Sequence, residues 1–227
     1  DSVTKKLGTV SSHANVSLSH EGATFDATAG NKITLDAPID LTATDECTLI
    51  FRCLINNSGA TGHGILSDMN AGNWGSTGCS VNVRNDGGCL IYIGTSITYT
   101  TTNYFYDSEY HDCICTYKSG ELTKIYVDEV EVSYTAQNNG NAYSAASINA
   151  RIGAYYNENT SYSTSGTIDY VLLLDKKIPI SEAIKISKKP YELLNPRPHL
   201  TGVVIAAVGA FQSAWAKNSN QIIGMSP

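Results

Sequence analysis

Apolar and polar residues alternate along most of the chain before residue 175, with the period of two that is typical of β-strands. In residues 47–55 the odd positions are apolar or cysteine, whereas Thr48 and Arg52 fall on the opposite face. Turn-forming Gly, Asn, Asp and Ser separate such runs. The pattern predicts short strands near residues 24–25, 32–35, 47–55, 64–67, 80–84, 89–93, 97–101, 111–117, 123–127, 129–134, 147–153 and 166–174.

One segment has the spacing of an amphipathic helix, near residues 181–189. Ser181 is placed to cap its N-terminus, apolar residues such as Ala183 and Ile186 follow, and Pro190 would end it. Many short strands with a single short helix predict an all-β fold. We expect a two-sheet antiparallel jelly-roll sandwich over residues 1–199.

The character of the chain changes after residue 199, where residues 200–227 are apolar and nearly uncharged. Leaving a large apolar side chain in water costs about 1.5–3 kcal/mol, so this segment should pack against something. Two interpretations stay open: it packs on its own domain as a last strand, or it docks onto a second copy or a larger assembly. The candidate docking residues are Val203, Ile205, Phe211 and Trp215.

Composition excludes two classes of partner. The 227 residues carry a formal net charge of −6, only 16% are charged, and Lys and Arg cluster no further than pairs, so the electrostatic basis for nucleic-acid binding is missing. The most apolar run, residues 203–211, is much shorter than the roughly 18 to 20 residues of a membrane span. We therefore expect neither nucleic acid nor a membrane as partner.

Six cysteines allow two interpretations that the sequence leaves open. They are small buried hydrophobes in a reducing compartment, or some are paired, with Cys79 and Cys89 as the candidate disulfide across a hairpin. Zinc is disfavoured because the chain has no C-x-x-C motif or His/Cys spacing of the usual kind.

Four stretches resemble, in order, the laminin-G-like, concanavalin A-like lectin/glucanase domains: residues 22–55, 80–94, 110–132 and 148–186. The third is similar to the Trp-His-His-Val hairpin of that family, with Tyr110 where Trp is usual and His111 kept. The last is similar to its Gly-x-Ile-Asp strand, at Gly166, Ile168 and Asp169. The resemblance covers about residues 22–195 and implies a two-sheet antiparallel jelly roll.

Residues 188–198 and 210–224 also resemble the ends of bacteriophage virion proteins that carry such a domain. This resemblance implies an accessory protein of a phage particle, a capsid decoration or fibre-type subunit located in the virion. Its partners would be other virion proteins or a second copy of the chain, held through residues 200–227.

Glycosidases of this fold use two carboxylates on one strand, spelled E-x-D-x-x-E, because the acid and the nucleophile must flank the same bond. The chain has no such motif, and the nearest cluster, Asp128, Glu129 and Glu131, breaks the spacing. On this ground we predict that the protein is not an enzyme.

Two loops are predicted to form a binding rim, and they suggest the alternative function of a carbohydrate-binding or adhesion module for host-surface glycans. Aromatic rings stack on sugar faces while Asn and Asp bind hydroxyls, although such residues also simply keep long turns soluble. Asp68 and Glu158 are candidate ligands for Ca²⁺, which prefers carboxylate oxygens. The predicted ligand-binding residues are Asp68, Asn70, Asn73, Trp74, Tyr155, Tyr156 and Asn157.

Overall fold

A computed structural model describes residues 10–14, 16–28, 30–56, 59–69, 77–100, 103–139, 143–155, 162–191 and 203–207, with backbone alone for 10–14 and 203–207. These residues form sixteen strands and one helix. In chain order the elements are β1 (Val10–Ala14), β2 (Ser17–Ser19), β3 (Gly22–Asp26), β4 (Lys32–Leu35), β5 (Glu46–Ile55), β6 (Gly62–Ser67), β7 (Cys79–Arg84), β8 (Cys89–Ile93), β9 (Ser96–Thr100), β10 (His111–Lys118), β11 (Lys124–Val127), β12 (Val130–Glu131), β13 (Tyr134–Gln137), β14 (Arg151–Ile152), β15 (Ser165–Leu174), α1 (Ile180–Lys188) and β16 (Val203–Ala207).

The strands form two antiparallel sheets that face each other. Sheet A has the order β1-β4-β14-β6-β7-β8-β9-β13, and sheet B has the order β12-β11-β10-β5-β15-β3-β2, with β16 paired to β15 as well. The predicted two-sheet antiparallel jelly-roll sandwich with one short helix near residues 181–189 is confirmed.

The core lies between the sheets, where the alternation of the sequence places one face of each strand. Phe25, Phe51 and Ile91 are among its fully buried side chains. A second apolar cluster lies on the outer face of sheet B, where Ile50 and Leu172 pack beneath α1. The burial of each such large side chain contributes about 1.5–3 kcal/mol.

The helix covers the outer face of sheet B, but it begins one residue before the predicted cap. Pro179, not Ser181, holds the N-cap position, and its carbonyl accepts hydrogen bonds from the amides of Glu182 and Ala183. No side chain caps this end. The helix stops at Lys188, before Pro190, because proline cannot continue the hydrogen-bond ladder. Its C-terminal end therefore stands over the middle strands of sheet B.

Two predicted strands differ in the structure. Residues 129–134 divide between β12 and β13, which belong to different sheets, because the chain crosses from one sheet to the other between them. Of residues 147–153, only Arg151–Ile152 form a strand. The alternation of apolar and polar residues does not indicate where the chain passes from one sheet to the other.

The described part of the C-terminal segment is one strand. β16 pairs with β15 from Val203, opposite Leu174, to Ala207, opposite Tyr170. This is the arrangement expected if the segment packs on its own domain. The rest of the predicted docking segment, with Phe211 and Trp215, lies outside the described residues, so docking stays a prediction. Among the described residues no helix is long and apolar enough to cross a membrane.

All six cysteines are free and buried, as the interpretation of small hydrophobes requires. Cys79 pairs with Ile93 and Cys89 with Val83, so the two thiols lie at opposite ends of the β7–β8 hairpin. A disulfide needs Cα atoms within about 7 Å, and the proposed Cys79–Cys89 bridge is therefore excluded. Burial raises the pKa of the Cys47 thiol to about 12, which keeps it protonated and unreactive.

Candidate functional site

Asp68, predicted to bind sugar and Ca²⁺, lies inside the protein. Its carboxylate is fully buried, and its two oxygens accept hydrogen bonds from the backbone amides of Ile39 (2.9 Å) and Cys79 (2.6 Å). Burial raises its pKa to about 6, against the opposing effect of these hydrogen bonds. The carboxylate links two segments of the chain and does not face solvent. The prediction that Asp68 binds sugar or Ca²⁺ requires an exposed side chain, so it is wrong for this residue.

Tyr155 is also buried, at 2% exposure, with its ring 5.3 Å from that of Tyr162. Its backbone lies against Gly64 near one end of β6, whereas Asp68 follows the other end. The structure therefore does not bring these two predicted site residues together. The remaining predicted residues, Asn70, Asn73, Trp74, Tyr156, Asn157 and Glu158, lie outside the described residues, and binding through them stays a prediction.

Calcium does not fit at Asp68, because the backbone amides of Ile39 and Cys79 already occupy both of its oxygens. Within the described ranges, no group of three or more His, Cys, Asp and Glu side chains is arranged to hold a metal ion. A role for Glu158 stays a prediction.

A different site opens on the outer face of sheet B, beside the C-terminal end of α1. It is a cleft of about 530 Å³, a size suited to a small ligand. We call it the Arg52 cleft, and its lining residues are Arg52, Asp112, Asp169, Tyr170, Ser187, Lys188, Lys189, Pro190 and Tyr191.

Strand register and a β-bulge bring its polar residues together. Arg52 of β5 lies opposite Asp112 of β10 on one side and opposite Tyr170 of β15 on the other. The pairing of β15 with β5 shifts between Ile168 and Tyr170, so Asp169 is the extra residue. Ile168 packs in the core while Tyr170 packs in the outer cluster. The bulge thus places an acidic and an aromatic side chain in succession at the cleft, a common use of bulges at functional sites.

Arg52 occupies the centre of the cleft. Its guanidinium lies 3.7 Å from the carboxylate of Asp112 and 3.9 Å from that of Asp169. Both distances exceed that of a direct hydrogen bond, and the side chain is 41% exposed. The guanidinium also lies over the ring of Tyr110, 5.3 Å from its centroid. Its position is therefore fixed by charge and stacking, while N–H groups stay available to a ligand.

Two tyrosines hold the carboxylates in place. The hydroxyl of Tyr170 lies 2.7 Å from Asp112, to which it donates, and that of Tyr191 donates to Asp169 at 2.8 Å. Burial raises the pKa of Asp169, and the Tyr191 hydrogen bond offsets this only in part. The two rings meet edge to face, 6.4 Å apart. The cleft therefore combines two carboxylates held in place as hydrogen-bond acceptors, a guanidinium with accessible N–H donors, and aromatic rings.

The alternation of side chains places Arg52 on the outer face of its strand, but it does not predict this site. The available signal was a charged residue within an otherwise apolar strand, at Arg52 and again at Asp112 in β10. Asp169 belongs to the Gly-x-Ile-Asp stretch, which predicts a strand and no binding role.

The architecture defines a fold class, the two-sheet antiparallel β-sandwich. No known family model matches the sequence, and no curated protein matches it either. Solved structures do match in fold. The Trypanosoma rangeli sialidase in complex with sialic acid is 14% identical, with a TM-score of 0.55 over 77% of this chain and 28% of the sialidase.

Two further structures share the fold. A candidate carbohydrate-binding protein from Bacteroides ovatus is 13% identical, with a TM-score of 0.50 over 71% of this chain and 44% of that protein. A mutant of HCR/D is 12% identical, with a TM-score of 0.57 over 78% of this chain and 45% of that protein. At these identities the likeness establishes the fold, and the chain spans less than half the length of each of these neighbours.

The comparison corrects one sequence-based prediction. The absence of an E-x-D-x-x-E motif predicted that the protein is not an enzyme, and the sialidases contradict this, because they are enzymes that contain the same fold. The missing motif belongs to one group of glycosidases and says nothing of other chemistries on a related sandwich.

Proposed function

We propose that the protein is a carbohydrate-binding module and that the Arg52 cleft binds the saccharide. The observation that carries this proposal is the half-exposed guanidinium of Arg52 between two fixed carboxylates. A sugar hydroxyl both donates and accepts hydrogen bonds. Neighbouring hydroxyls can therefore accept from the guanidinium of Arg52 and donate to the carboxylates on either side of it. The candidate carbohydrate-binding protein with the same fold supports the proposal.

A neutral saccharide is the ligand class that suits these charges. Asp112 and Asp169 would repel the carboxylate of an acidic sugar, whereas they accept hydrogen bonds from neutral hydroxyls. Lys188 and Lys189 also line the cleft, but the ammonium of Lys188 pairs with Glu129 at 2.7 Å, so the cations of the cleft do not outnumber its carboxylates. The half-buried ring of Tyr191, which lines the cleft, offers a stacking surface for a sugar ring.

Replacing Arg52 with methionine should weaken saccharide binding by at least about tenfold, because the cleft loses its central donor, worth about 1.5–3 kcal/mol for a charged hydrogen bond. A glycan array identifies the bound sugars, and calorimetric titration with the strongest neutral binder measures the change.

Arg84→Met is the matched control. Arg84 lies over the ring of Tyr99 at 5.2 Å and pairs with Asp86 at 3.0 Å, as Arg52 does with its own tyrosine and acids, but it belongs to sheet A. Binding should survive this change. Equal affinity of the wild type and Arg52→Met would refute the cleft as the site, and loss of binding in both variants would indicate a general effect on the fold.

We propose as a second role that the protein is a virion subunit of a bacteriophage and that residues 200–227 attach it to other virion proteins or to a second copy. The apolar composition of this segment supports the proposal. The glycans recognised would then be those of the host surface.

Ending the chain at Pro198 should abolish self-association and incorporation into particles, because it removes the apolar segment. Light scattering of the full and shortened chains measures the first, and their copy number in purified particles measures the second. The same monomeric mass for both chains, with undiminished incorporation, would rule the second role out.

A further inference from the structure

His111 joins two carboxylates beside the cleft. Its Nδ1 lies 2.6 Å from Asp128 and its Nε2 lies 2.9 Å from Asp107. A neutral imidazole has one N–H, so it can donate to only one of these acids. The imidazolium has two and can donate to both. The geometry therefore fits the protonated ring.

Among the residues that the structure describes, the charges that act on the His111 ring are those of Asp107 and Asp128. The ring of Phe105 meets it edge to face at 5.6 Å, and Cys53 is its partner on β5. Burial opposes protonation, but the hydrogen bonds to Asp107 and Asp128 outweigh this, and the pKa of His111 is raised above its usual value of 6.5. The two carboxylates thus govern its charge.

Asp128 belongs to a strained turn. Asp128 and Glu129 form the two-residue loop between β11 and β12, and both have positive φ, 48° and 71°. This is the geometry of a type I′ turn, which favours Asn or Asp at its first position and Gly at its second, so Glu129 at the second position costs about 1–2 kcal/mol. Contacts outside the turn must hold it in this form.

The turn is tied to two residues of the cleft. The second oxygen of Asp128 accepts the amide of Asp112 at 3.0 Å, and the amide of Asp128 donates to the carbonyl of Asp112 at 2.9 Å. Glu129 pairs with Lys188 at 2.7 Å. One contact of the turn with His111 therefore supports two walls of the Arg52 cleft.

We propose that His111 is a proton-operated clamp that holds the cleft in its binding form when protonated and releases it when neutral. Loss of the proton removes one of the two hydrogen bonds. If Asp128 keeps its bond, the donor is no longer charged, and neutral hydrogen bonds are about half as strong. If Asp107 keeps its bond instead, Asp128 loses its own. In both tautomers of the neutral ring the turn is held less tightly.

The direction in pH follows from the raised pKa. The stabilisation of the folded state by the clamp is complete below the usual pKa of 6.5 and is lost as pH rises through the higher folded-state pKa. Saccharide affinity should fall in the same interval, by about fivefold, if roughly one charged hydrogen bond becomes a neutral one.

Amide hydrogen exchange of the free protein tests the clamp without any ligand. Between about pH 5.5 and 9.5, the protection of the Asp112 and Asp128 amides, corrected for intrinsic exchange, should fall about fivefold as the His111 ring signals titrate. The Ser165 amide is the internal control. It donates to Nδ1 of His63, a histidine whose pKa burial lowers to about 4, so its protection should stay constant.

Asp107→Asn is the matched variant, because it removes one carboxylate without touching the turn. It should move both the titration and the loss of protection to lower pH. His111→Gln, if it folds, should show the weak protection at every pH. Protection that does not change while His111 titrates would overturn the proposal, as would an equal loss at Ser165.

The effect on the cleft rests on the proposed function, and titrations with the methyl glycosides of glucose, galactose and mannose separate the two. Affinity that falls with pH, and at lower pH in Asp107→Asn, supports the clamp. Affinity that is independent of pH overturns its control of the cleft. If no sugar binds at any pH while the amides respond, the clamp stands and the proposed function fails.

Discussion

Replacement of Asp68 by alanine is expected to lower the free energy of unfolding by about 3–5 kcal/mol. The change leaves the buried amides of Ile39 and Cys79 without acceptors, and each such unsatisfied group costs about 1–3 kcal/mol. Urea denaturation followed by circular dichroism measures the loss.

Two variants frame this measurement. Asp40→Ala removes an exposed carboxylate that accepts from Thr42, and it should cost less than about 1 kcal/mol. Asp68→Asn keeps one acceptor oxygen but turns an NH₂ group toward an amide, so it should still destabilise strongly. If Asp68→Ala left stability unchanged and instead weakened sugar or Ca²⁺ binding, the structural role of Asp68 would be wrong and the predicted ligand-binding role right.

The alternation of side chains predicted the inward face of the sandwich well. In β5 the odd positions Cys47 to Ile55 all lie in the core, and Cys113 and Cys115 of β10 do so too. The reason is that a strand has only two faces and the chain is long enough to bury one of them, so the pattern and the burial coincide.

The site could not be predicted in the same way. The Arg52 cleft depends on a register that brings Arg52 beside Asp112, and on a bulge that adds Asp169 to the outer face. Neither is encoded in local polarity. The error at Asp68 has the converse cause: a polar residue among Ser, Met and Asn resembles a solvated loop, but this carboxylate is buried because two backbone amides need an acceptor.

Fold and function are separate conclusions for this protein. Sialidases and a candidate carbohydrate-binding protein match this sandwich at 13–14% identity, and a likeness of this kind shows the fold without fixing the function. The proposal of saccharide binding therefore depends on Arg52, Asp112 and Asp169, and the affinity of the Arg52→Met variant decides it.

Gly166→Ala is expected to cost more than about 3 kcal/mol or to prevent folding. Gly166 has a φ of 137°, a backbone conformation that residues other than glycine rarely adopt. A Cβ at this position would overlap the carbonyl oxygen of Leu54 and lie 3.0 Å from Cα of Ile55. These are backbone atoms of the central strand β5, so no change of rotamer relieves the clash. Soluble yield and urea denaturation measure the effect.

Gly120→Ala separates the strain of a positive φ from the clash of an added Cβ. Gly120 also has a positive φ, 79°, but nothing lies within 4 Å of a Cβ there, so the substitution carries backbone strain alone and should cost about 1 kcal/mol. Equal losses in the two variants would mean that β15 can move away from β5. That movement would also shift the bulge at Asp169, three residues along the strand, so a tolerated Gly166→Ala should weaken the Arg52 cleft even where the protein still folds.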